Sequence, residues 1–395
     1  MTENKEEGDL SFSALLVFGQ LYHPEVENPR KFFKFTMADI SKDSLYIDAL
    51  EPVDVELFSD GAGEDDTVLI YSGACRIGSC LYFVGGLRRH AAKDVGVIGY
   101  DDDGSNAIWC IDTAAATASG SLCSKTIACP PTVDPYPLGY LMPLVVPYDG
   151  KILIFCDKCQ RCALKIYDPL LNQFSARTIP VESLHEYEVF DSYFLWNDPR
   201  KPLREKPLIM LCSNSLLSRT VHLRAFNYEL NQWETYDHNF PVTSEKLETW
   251  TFKHLIPLEY GSSSLLLIIL QAGIWSLYDL FSKSMVMEEL NVAGLPLDRE
   301  VPHAFAQQCY DGSTVIHIFL DGERDEWPGK LQYIAYAKVS LQSEGDKFSA
   351  TLLSRCSIET GFYVQSYMFV EDSFKSAAKD KETTEMENAK EEEEE

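Results

Sequence analysis

Residues Leu81-Tyr82-Phe83-Val84-Gly85-Gly86 read as an apolar strand that ends in a glycine pair. After a long loop comes a second strand of similar character, Ile108-Trp109-Cys110-Ile111-Asp112. A repeat period near 50 residues is typical of propellers and solenoids. Strands comparable to the first one recur along the chain and give six copies: Ala14 to Gln20, Leu81 to Gly86, Lys151 to Asp157, Leu208 to Ser213, Leu265 to Gln271 and Thr314 to Gly322.

Each of these strands is followed by a second one that is rich in β-forming residues. The second strands are Phe32 to Ala38, Ala107 to Asp112, Ala163 to Asp168, His222 to Asn227, Ile274 to Asp279 and Leu331 to Ala337. In three copies a bulky residue follows the last Asp or Asn by six positions: Asp168 to Phe174, Asn227 to Trp233 and Asp279 to Met285. Asp and Asn favour tight turns, so this offset predicts a hairpin whose outer strand packs its large residue between neighbouring sheets.

A further apolar segment precedes copies two to six. These segments are Val68 to Ser72, Tyr140 to Val146, Val189 to Trp196, Phe252 to Leu258 and Ala304 to Tyr310. Copy one lacks such a segment, but a strand of the right kind, Phe362 to Val370, follows the sixth copy. The two ends of the chain are therefore expected to complete one blade and to close a ring.

The expected fold is all-β, a six-bladed β-propeller of four-stranded blades closed by a C-terminal strand that joins the N-terminal blade. Residues 1–11 are expected to be a short polar tail, residues 12–371 the propeller and residues 372–395 an acidic disordered tail. The segments Asp48 to Thr67 and Ala114 to Pro137 are interpreted as loops, with a seventh blade hidden in one of them as the alternative.

The net charge and the cysteine content limit the cellular locations and the kinds of binding partner that we expect for this protein. The chain of 395 residues has a net charge of -27, which repels nucleic acid and anionic membranes and favours a basic protein partner. The N-terminus has no apolar segment typical of a secretory signal, and the run Leu265 to Leu270 is too short to cross a bilayer. With 11 cysteines, reduced thiols and a cytoplasmic or nuclear location are expected.

The segments LYFVGG (81–86), IYDPLLNQF (166–174) and FNYELNQW (226–233) resemble kelch repeats, and the whole is similar to galactose oxidase-like propellers of the plant F-box/kelch type. Only Gly85 and Gly86 keep the glycine pair of that family. The resemblance implies a propeller that recognises a protein. The short stretch before the first strand does not supply an F-box, so a direct role as a ubiquitin-ligase adaptor departs from the family plan.

Two polar motifs are weighed as metal sites and set aside. Cys156, Cys159 and Cys162 have the spacing of zinc or iron-sulfur ligands, but a fourth ligand is missing locally and a structural hairpin is favoured. The run Asp101 to Asn106 has the oxygen density of a calcium loop, but its acids do not follow the EF-hand spacing, and it favours a polar turn. No cofactor and no metal are expected.

The densest basic stretch comprises Arg88, Arg89, His90 and Lys93, in the long loop after the glycine pair. Loops on a rigid scaffold commonly carry binding residues, so this stretch is the candidate partner-binding loop. No serine elbow and no histidine spacing for a metal is present. We therefore expect a monomeric, non-catalytic module that binds a protein. The alternatives are a substrate-recognition component of a ubiquitin ligase, a propeller enzyme acting on carbohydrate and a small-molecule receptor.

Overall fold

The computed structural model contains only β-strands and their connections among the residues that it describes. It describes the backbone of residues 12–20, 32–36, 44–46, 52–56, 68–70, 73–85, 87–91, 98–100, 107–112, 121–128, 143–155, 163–179, 188–197, 206–215, 220–239, 254–260, 263–271, 273–295, 303–308, 314–326, 329–344, 347–359 and 363–371. No helix in these ranges is both long and apolar enough to cross a bilayer.

In chain order the strands are β1 (Phe12–Gln20), β2 (Phe32–Thr36), β3 (Ser44–Tyr46), β4 (Pro52–Glu56), β5 (Val68–Ile70), β6 (Gly73–Ile77), β7 (Cys80–Val84), β8 (Leu87–Ala91), β9 (Ile98–Tyr100), β10 (Ala107–Asp112), β11 (Ser121–Ala128), β12 (Leu144–Tyr148), β13 (Lys151–Phe155), β14 (Ala163–Asp168), β15 (Gln173–Thr178), β16 (Glu188–Trp196), β17 (Leu208–Ser215), β18 (Thr220–Asn227), β19 (Gln232–Asn239), β20 (His254–Tyr260), β21 (Ser263–Gln271), β22 (Ile274–Asp279), β23 (Ser284–Asn291), β24 (His303–Gln308), β25 (Thr314–Glu326), β26 (Gly329–Glu344), β27 (Lys347–Glu359) and β28 (Tyr363–Glu371).

Most of these strands form antiparallel sheets of four in sequential order. Three sheets are β12-β13-β14-β15, β16-β17-β18-β19 and β20-β21-β22-β23, and a fourth, β24-β25-β26-β27, carries β3 as an additional strand. An eight-stranded sheet has the order β28-β1-β2-β4-β11-β10-β7-β6, and a small sheet has the order β5-β8-β9. Several four-stranded antiparallel sheets in an all-β chain are consistent with a β-propeller.

The outer hairpins have the turn chemistry that the sequence predicts. The Oδ1 atom of Asp168 accepts hydrogen bonds from the backbone N–H groups of Leu170 and Leu171, at 3.1 and 3.2 Å. Asn227 Oδ1 accepts one from Leu230 at 3.1 Å, and Asp279 Oδ1 accepts one from Phe281 at 2.8 Å. The prediction that Asp or Asn closes these three turns is therefore confirmed.

The hydrophobic core is divided among the spaces between successive sheets. Each of four clusters combines buried side chains of two neighbouring sheets; examples are Tyr82 with Ile154, Leu153 with Phe226, Met210 with Ile268, and Trp275 with Ile318. Phe174, Trp233 and Met285 start the outer strands and pack against these clusters, as predicted. Burial on both faces explains why the second strand of each sheet is almost continuously apolar.

The N-terminal and C-terminal strands pair with each other. Strand β28 is antiparallel to β1, with Ser13 opposite Val370 and Gly19 opposite Val364. Two parallel pairs join outer strands: β4 with β11, where Val55 is opposite Leu122, and β3 with β27. The predicted pairing of the two ends is thus present between β1 and β28.

Three segments differ from their predicted roles. Val68 to Ser72 was expected to start the second copy, but Val68–Ile70 pairs with β8 in the small sheet, and β6 takes the inner position instead. The segments interpreted as loops contain β4 and β11. Strands β6 (GACRI) and β11 (SLCSKTIA) are less apolar than typical central strands, so their sequences do not predict them as strands. Pairing with neighbouring strands determines their structure instead.

Candidate functional site

Six edge strands lie next to one another at one side of the sheets. We call β28, β6, β12, β16, β20 and β24 the inner row. Along it β28 contacts β6, β6 contacts β12, β12 contacts β16, β16 contacts β20, and β20 contacts β24. Strands β28 and β6 are the two edges of the eight-stranded sheet. Because these two edges contact each other, the sheet is bent so that its first and last strands lie side by side.

The inner strands approach each other closely at Gly73. A Cβ atom at this position would clash with the carbonyl oxygen of Pro143 and with the Cγ2 atom of Val145 on β12. Glycine is the residue that permits such a close approach of two backbones. The packing of β6 against β12 therefore depends on the absence of a side chain at residue 73.

Strand β16 carries the most irregular backbone of the inner row in the described residues. Its pairing with β17 shifts between Phe190 and Ser192, so Asp191 is the extra residue of a β-bulge. Glu188 begins the same strand, opposite Ser215. Bulges interrupt the regular alternation of side chains and are over-represented next to active sites, where they redirect a side chain. The first four positions of this inner strand therefore contain two acidic residues, Glu188 and Asp191, and the second of them lies in the bulge.

Packed aromatic rings hold the bulge in place. The ring of Phe190 lies 6.0 Å from that of Phe155, edge to face, and 6.0 Å from the indole of Trp233, in a stacked arrangement. On the other side of the bulge, Tyr193 packs against the same cluster. Burial, with a smaller contribution from the Cys75 thiol, raises the pKa of Tyr193, so its hydroxyl stays protonated.

Two histidines begin the next two inner strands. His254 starts β20 and His303 starts β24, opposite Ile269 and Phe319 respectively. Because the sheets repeat one strand order, the starts of β16, β20 and β24 lie at the same end of the inner row. One end of this row therefore combines two acids with two histidines, which are groups suited to proton transfer.

A third histidine is buried and unsuited to that chemistry. His317 on β25 is 1% exposed and its Nδ1 atom lies 2.6 Å from the hydroxyl of Tyr336. Burial, assisted by the positive charge of Lys338, lowers the pKa of His317 to about 3. The imidazole is therefore neutral across the physiological range and has a structural role.

Two cysteines near the inner row, Cys75 and Cys110, are held in the protonated thiol form. Cys75 lies opposite Tyr82 on one side and Cys110 lies opposite Tyr82 on the other. Burial raises the pKa of the Cys75 thiol, and burial together with the neighbouring Cys80 raises that of Cys110 to about 12. Because the thiolate is the nucleophile, these thiols are not candidates for covalent catalysis.

The predicted binding stretch is a strand and not a loop. Arg88, Arg89 and His90 lie within β8, the central strand of the small sheet, because β5 and β9 pair with it on both sides. Lys93 lies outside the described residues. Pairing with two partners converts the expected loop into a hairpin with a fixed backbone. Whether the stretch binds a partner stays a prediction.

The motifs that were considered for metals fall outside the described part of the chain. Cys156, Cys159 and Cys162 lie there, and so does the run Asp101 to Asn106. Within the described residues no cluster of three or more histidine, cysteine or acidic side chains could hold a metal ion.

Sequence reasoning did not select Glu188 and Asp191. The signal that could have found them is the pattern of β16, Glu188-Val189-Phe190-Asp191, which places two acids in an otherwise apolar inner strand. The bulge itself is a property of strand pairing and has no local sequence signature here.

Comparison with known proteins gives structural neighbours but no family. No family model and no curated protein matches the chain. A similar solved structure is the RS223 β-xylosidase, at 10% identity and a TM-score of 0.38, covering 73% of this chain and 97% of the other. An endo-1,4-β-xylanase from Bacteroides thetaiotaomicron is similar at 11% identity and a TM-score of 0.39, covering 75% and 100%. The GH43_1 enzyme from Xanthomonas citri, in complex with xylose, shows 8% identity and a TM-score of 0.39, covering 72% and 91%.

These neighbours overturn the expected family resemblance. They are glycoside hydrolases, and family 43 is named for several of them, so the resemblance to kelch-repeat propellers of the plant F-box type is wrong. The physical reason is that the matching residues serve turns. Gly85 adopts a φ of 68°, and Asp168 and Asn227 cap hairpins, which any four-stranded antiparallel sheet requires.

The expected function is corrected by the same finding. The chain was expected to be a non-catalytic protein-binding module and not an enzyme, whereas the similar solved structures are of enzymes that act on carbohydrate. The comparisons thus give glycoside hydrolases as similar solved structures and no family for this chain.

Proposed function

We propose that the chain is a carbohydrate-active propeller enzyme that hydrolyses glycosidic bonds, with Glu188 and Asp191 as its carboxylate pair. The observation that carries this proposal is the bulge at Asp191 in an inner strand. Glycoside hydrolysis in most enzymes requires two carboxyl groups, one that protonates the leaving oxygen and one that activates water or attacks the sugar. The start of β16 supplies such a pair.

The scaffold of this proposal is a six-bladed ring. The eight-stranded sheet divides into two blades at the parallel pair β4-β11, namely β28-β1-β2-β4 and β6-β7-β10-β11. Together with the four sheets that begin with β12, β16, β20 and β24, this gives six blades, each starting at the inner row. The antiparallel pairing of β28 with β1 completes the first of these blades with strands from both ends of the chain and supports this arrangement.

The stereochemical outcome of the reaction depends on the separation of the two acids. Inverting enzymes separate their carboxyl groups by about 6.5–9.5 Å to leave room for water, and retaining enzymes by about 5–5.5 Å. We assign the general acid or base roles to Glu188 and Asp191, and a positioning role to His254, which starts the adjacent strand.

The proposal is tested by turnover with matched variants. The intact chain is incubated with xylotriose and with arabinan oligosaccharides, and released sugars are separated by chromatography. Glu188→Gln and Asp191→Asn are each expected to lower kcat by about 100-fold or more, because each removes an acid-base group. The exposed Glu288 on β23 supplies the control, and Glu288→Gln is expected to keep the wild-type rate.

Folding is checked alongside turnover. The three variants should share the wild-type thermal midpoint, so that a loss of rate reports on chemistry. Absence of any sugar release by the wild-type chain, or full activity in both Glu188→Gln and Asp191→Asn, would contradict the proposal. Proton NMR of the first product formed distinguishes inversion from retention.

A further inference from the structure

We propose that the thiols of Cys80 and Cys110 form an oxidisable pair, which a peroxide converts into a disulfide bond that glutathione reduces again. The proposal assigns a reversible modification site to the paired strands β7 and β10. It does not depend on the proposed hydrolysis of glycosidic bonds.

The pairing of β7 with β10 places the two cysteines on one face of the sheet. Cys80 is opposite Asp112, and Cys110 is opposite Tyr82. Side chains two residues apart on a strand point to the same side, so all four belong to one face, with the cysteines at diagonal positions. Both cysteines pack against the same hydrophobic cluster. The two thiols are therefore neighbours across the pair of strands.

The thiols contact each other and the hydroxyl group of Tyr82. The Cys110 thiol donates a hydrogen bond to the Sγ atom of Cys80, and the Tyr82 hydroxyl donates to both sulfur atoms. Tyr82 is 5% exposed, so the core fixes its ring next to the pair. These contacts hold the two sulfur atoms toward each other before any bond forms between them.

Exposure distinguishes these two cysteines from the other thiols whose surroundings the structure describes. Cys80 and Cys110 are partly exposed, whereas Cys75 and Cys212 are buried, at 5% and 0% exposure. A small uncharged oxidant such as hydrogen peroxide therefore reaches the pair more readily than the buried thiols. Because burial and the neighbouring Cys80 raise the pKa of Cys110 to about 12, we assign the first reaction to Cys80 and the second to Cys110.

The oxidation consists of two balanced steps. The Cys80 sulfur attacks one oxygen of hydrogen peroxide, the O–O bond breaks, and the released hydroxide takes up the Cys80 proton as water, which leaves a sulfenic acid. The Cys110 sulfur then attacks the Cys80 sulfur, the S–O bond breaks, and the released hydroxide takes up the Cys110 proton. The two thiols are thus oxidised to a disulfide, and the peroxide is reduced to two water molecules.

The diagonal arrangement favours a disulfide that is easily reduced. Diagonal neighbours in an antiparallel pair lie about 7–8 Å apart, whereas a disulfide joins Cα atoms that are about 4.4–6.8 Å apart. Strands β7 and β10 must therefore approach each other by about 1 Å when the bond forms. Strained disulfides are the labile and regulatory ones, so we expect reduced glutathione to reverse the oxidation.

Peptide mapping of the intact chain detects the bond. The protein is treated with hydrogen peroxide, the remaining thiols are blocked with iodoacetamide, and a tryptic digest is analysed by mass spectrometry without reductant. Cleavage after Arg76 separates Cys75 from Cys80. We expect the peptide with Cys80 to be joined to the peptide with Cys110, and reduced glutathione to separate them.

Matched serine variants identify the two partners. Cys80→Ser and Cys110→Ser should each abolish the joined peptides. Cys75→Ser should retain them, and so should Cys123→Ser, since Cys123 shares a tryptic peptide with Cys110 but has no part in the proposed bond. Thermal midpoints measured under reducing conditions establish that each variant is folded, and the mapping of the wild-type chain decides the question if one is not.

Each other outcome would overturn the inference. A bond from Cys80 to Cys75 or to Cys123 would reject Cys110 as the partner. Conversion of Cys80 to a sulfinic or sulfonic acid while Cys110 stays free would show that the two sulfur atoms do not reach each other. The absence of any oxidation at Cys80, or a disulfide that glutathione does not reduce, would reject the reversible modification site.

Discussion

His317 and Tyr336 form a buried pair on neighbouring strands, with 2.6 Å between the imidazole Nδ1 atom and the phenol oxygen. Phe319 packs on the same phenol ring at 5.2 Å, so the pair is enclosed by the core of its sheet. The pKa of His317 is lowered to about 3 by burial and by Lys338. An unfolded chain has a histidine pKa near 6.5.

The first prediction concerns acid stability. Between about pH 6.5 and pH 3 the unfolded chain binds a proton at His317 that the folded chain does not, so the free energy of unfolding falls as pH decreases, by about 1.4 kcal/mol per pH unit. His317→Asn should make this dependence shallower by one proton, measured as urea midpoints at pH 7 and pH 4.5. Tyr336→Phe should lower stability at both pH values and keep the slope. An unchanged slope in His317→Asn would contradict the assignment.

The second prediction concerns the seam between the sheet β12-β13-β14-β15 and the sheet β16-β17-β18-β19. Arg177 Nη1 donates to the carbonyl oxygen of Tyr228 at 2.9 Å, and its Cζ atom lies 4.4 Å from the centre of that ring. Tyr148 packs on the same ring at 5.2 Å. Arg177→Gln should lower the free energy of unfolding by about 1–2 kcal/mol, because both a charged hydrogen bond and a cation–π contact are lost. The exposed Lys347→Gln is the control for charge alone, and equal midpoints for the two variants would refute the role of Arg177.

The third prediction concerns the strand that joins the two ends of the chain. Deleting residues 361–370 removes most of β28 and leaves β1 as an unpaired edge, which favours aggregation. Deleting residues 375–395 should leave the thermal midpoint nearly unchanged. Light scattering and thermal unfolding compare the two truncations, and equal tolerance of both would show that β28 does not seal the first blade.

The fourth prediction concerns the approach of β6 to β12. A methyl group at residue 73 overlaps with Pro143 and Val145, so Gly73→Ala should cost about 1–3 kcal/mol through overpacking. Gly78→Ala provides a contrast, since a Cβ atom there meets nothing within 4 Å and only its φ of 59° disfavours alanine. The free energy of unfolding of both variants is measured by urea denaturation. A larger decrease for Gly78→Ala than for Gly73→Ala would contradict the close packing of β6 against β12.

The repeated sheets could be predicted where local chemistry is strong. Strand β14 and its turn at Asp168 follow directly from an apolar run that ends in an Asp, and β22 with Asp279 follows in the same way. Strand β6 could not be predicted, because its sequence is short and only Cys75 is buried. Its position is determined by contacts with β7 and β12, which the sequence around it does not encode.

The candidate site was less accessible to prediction than the fold. Glu188 and Asp191 become candidate site residues only when two facts about the structure are known. Strand β16 is an inner strand, and its pairing with β17 shifts by one residue. The basic residues Arg88, Arg89 and His90 were visible in the sequence as a charge cluster, but the strands that pair with them, β5 and β9, come from segments before and after β8 in the chain. Sites of this kind form only when separate strands come together in the folded sheets, so a search for local sequence motifs does not find them.

The pairing of Ser13 with Val370 also affects how the protein is made. Roughly 350 residues separate these partners, so β1 leaves the ribosome long before β28 exists. At typical synthesis rates of about 5–20 residues per second, this interval is on the order of 20 to 70 s. During that time the nascent chain exposes an apolar strand with unsatisfied backbone groups, and we expect its biogenesis to depend on chaperones that shield the N-terminal segment until translation ends.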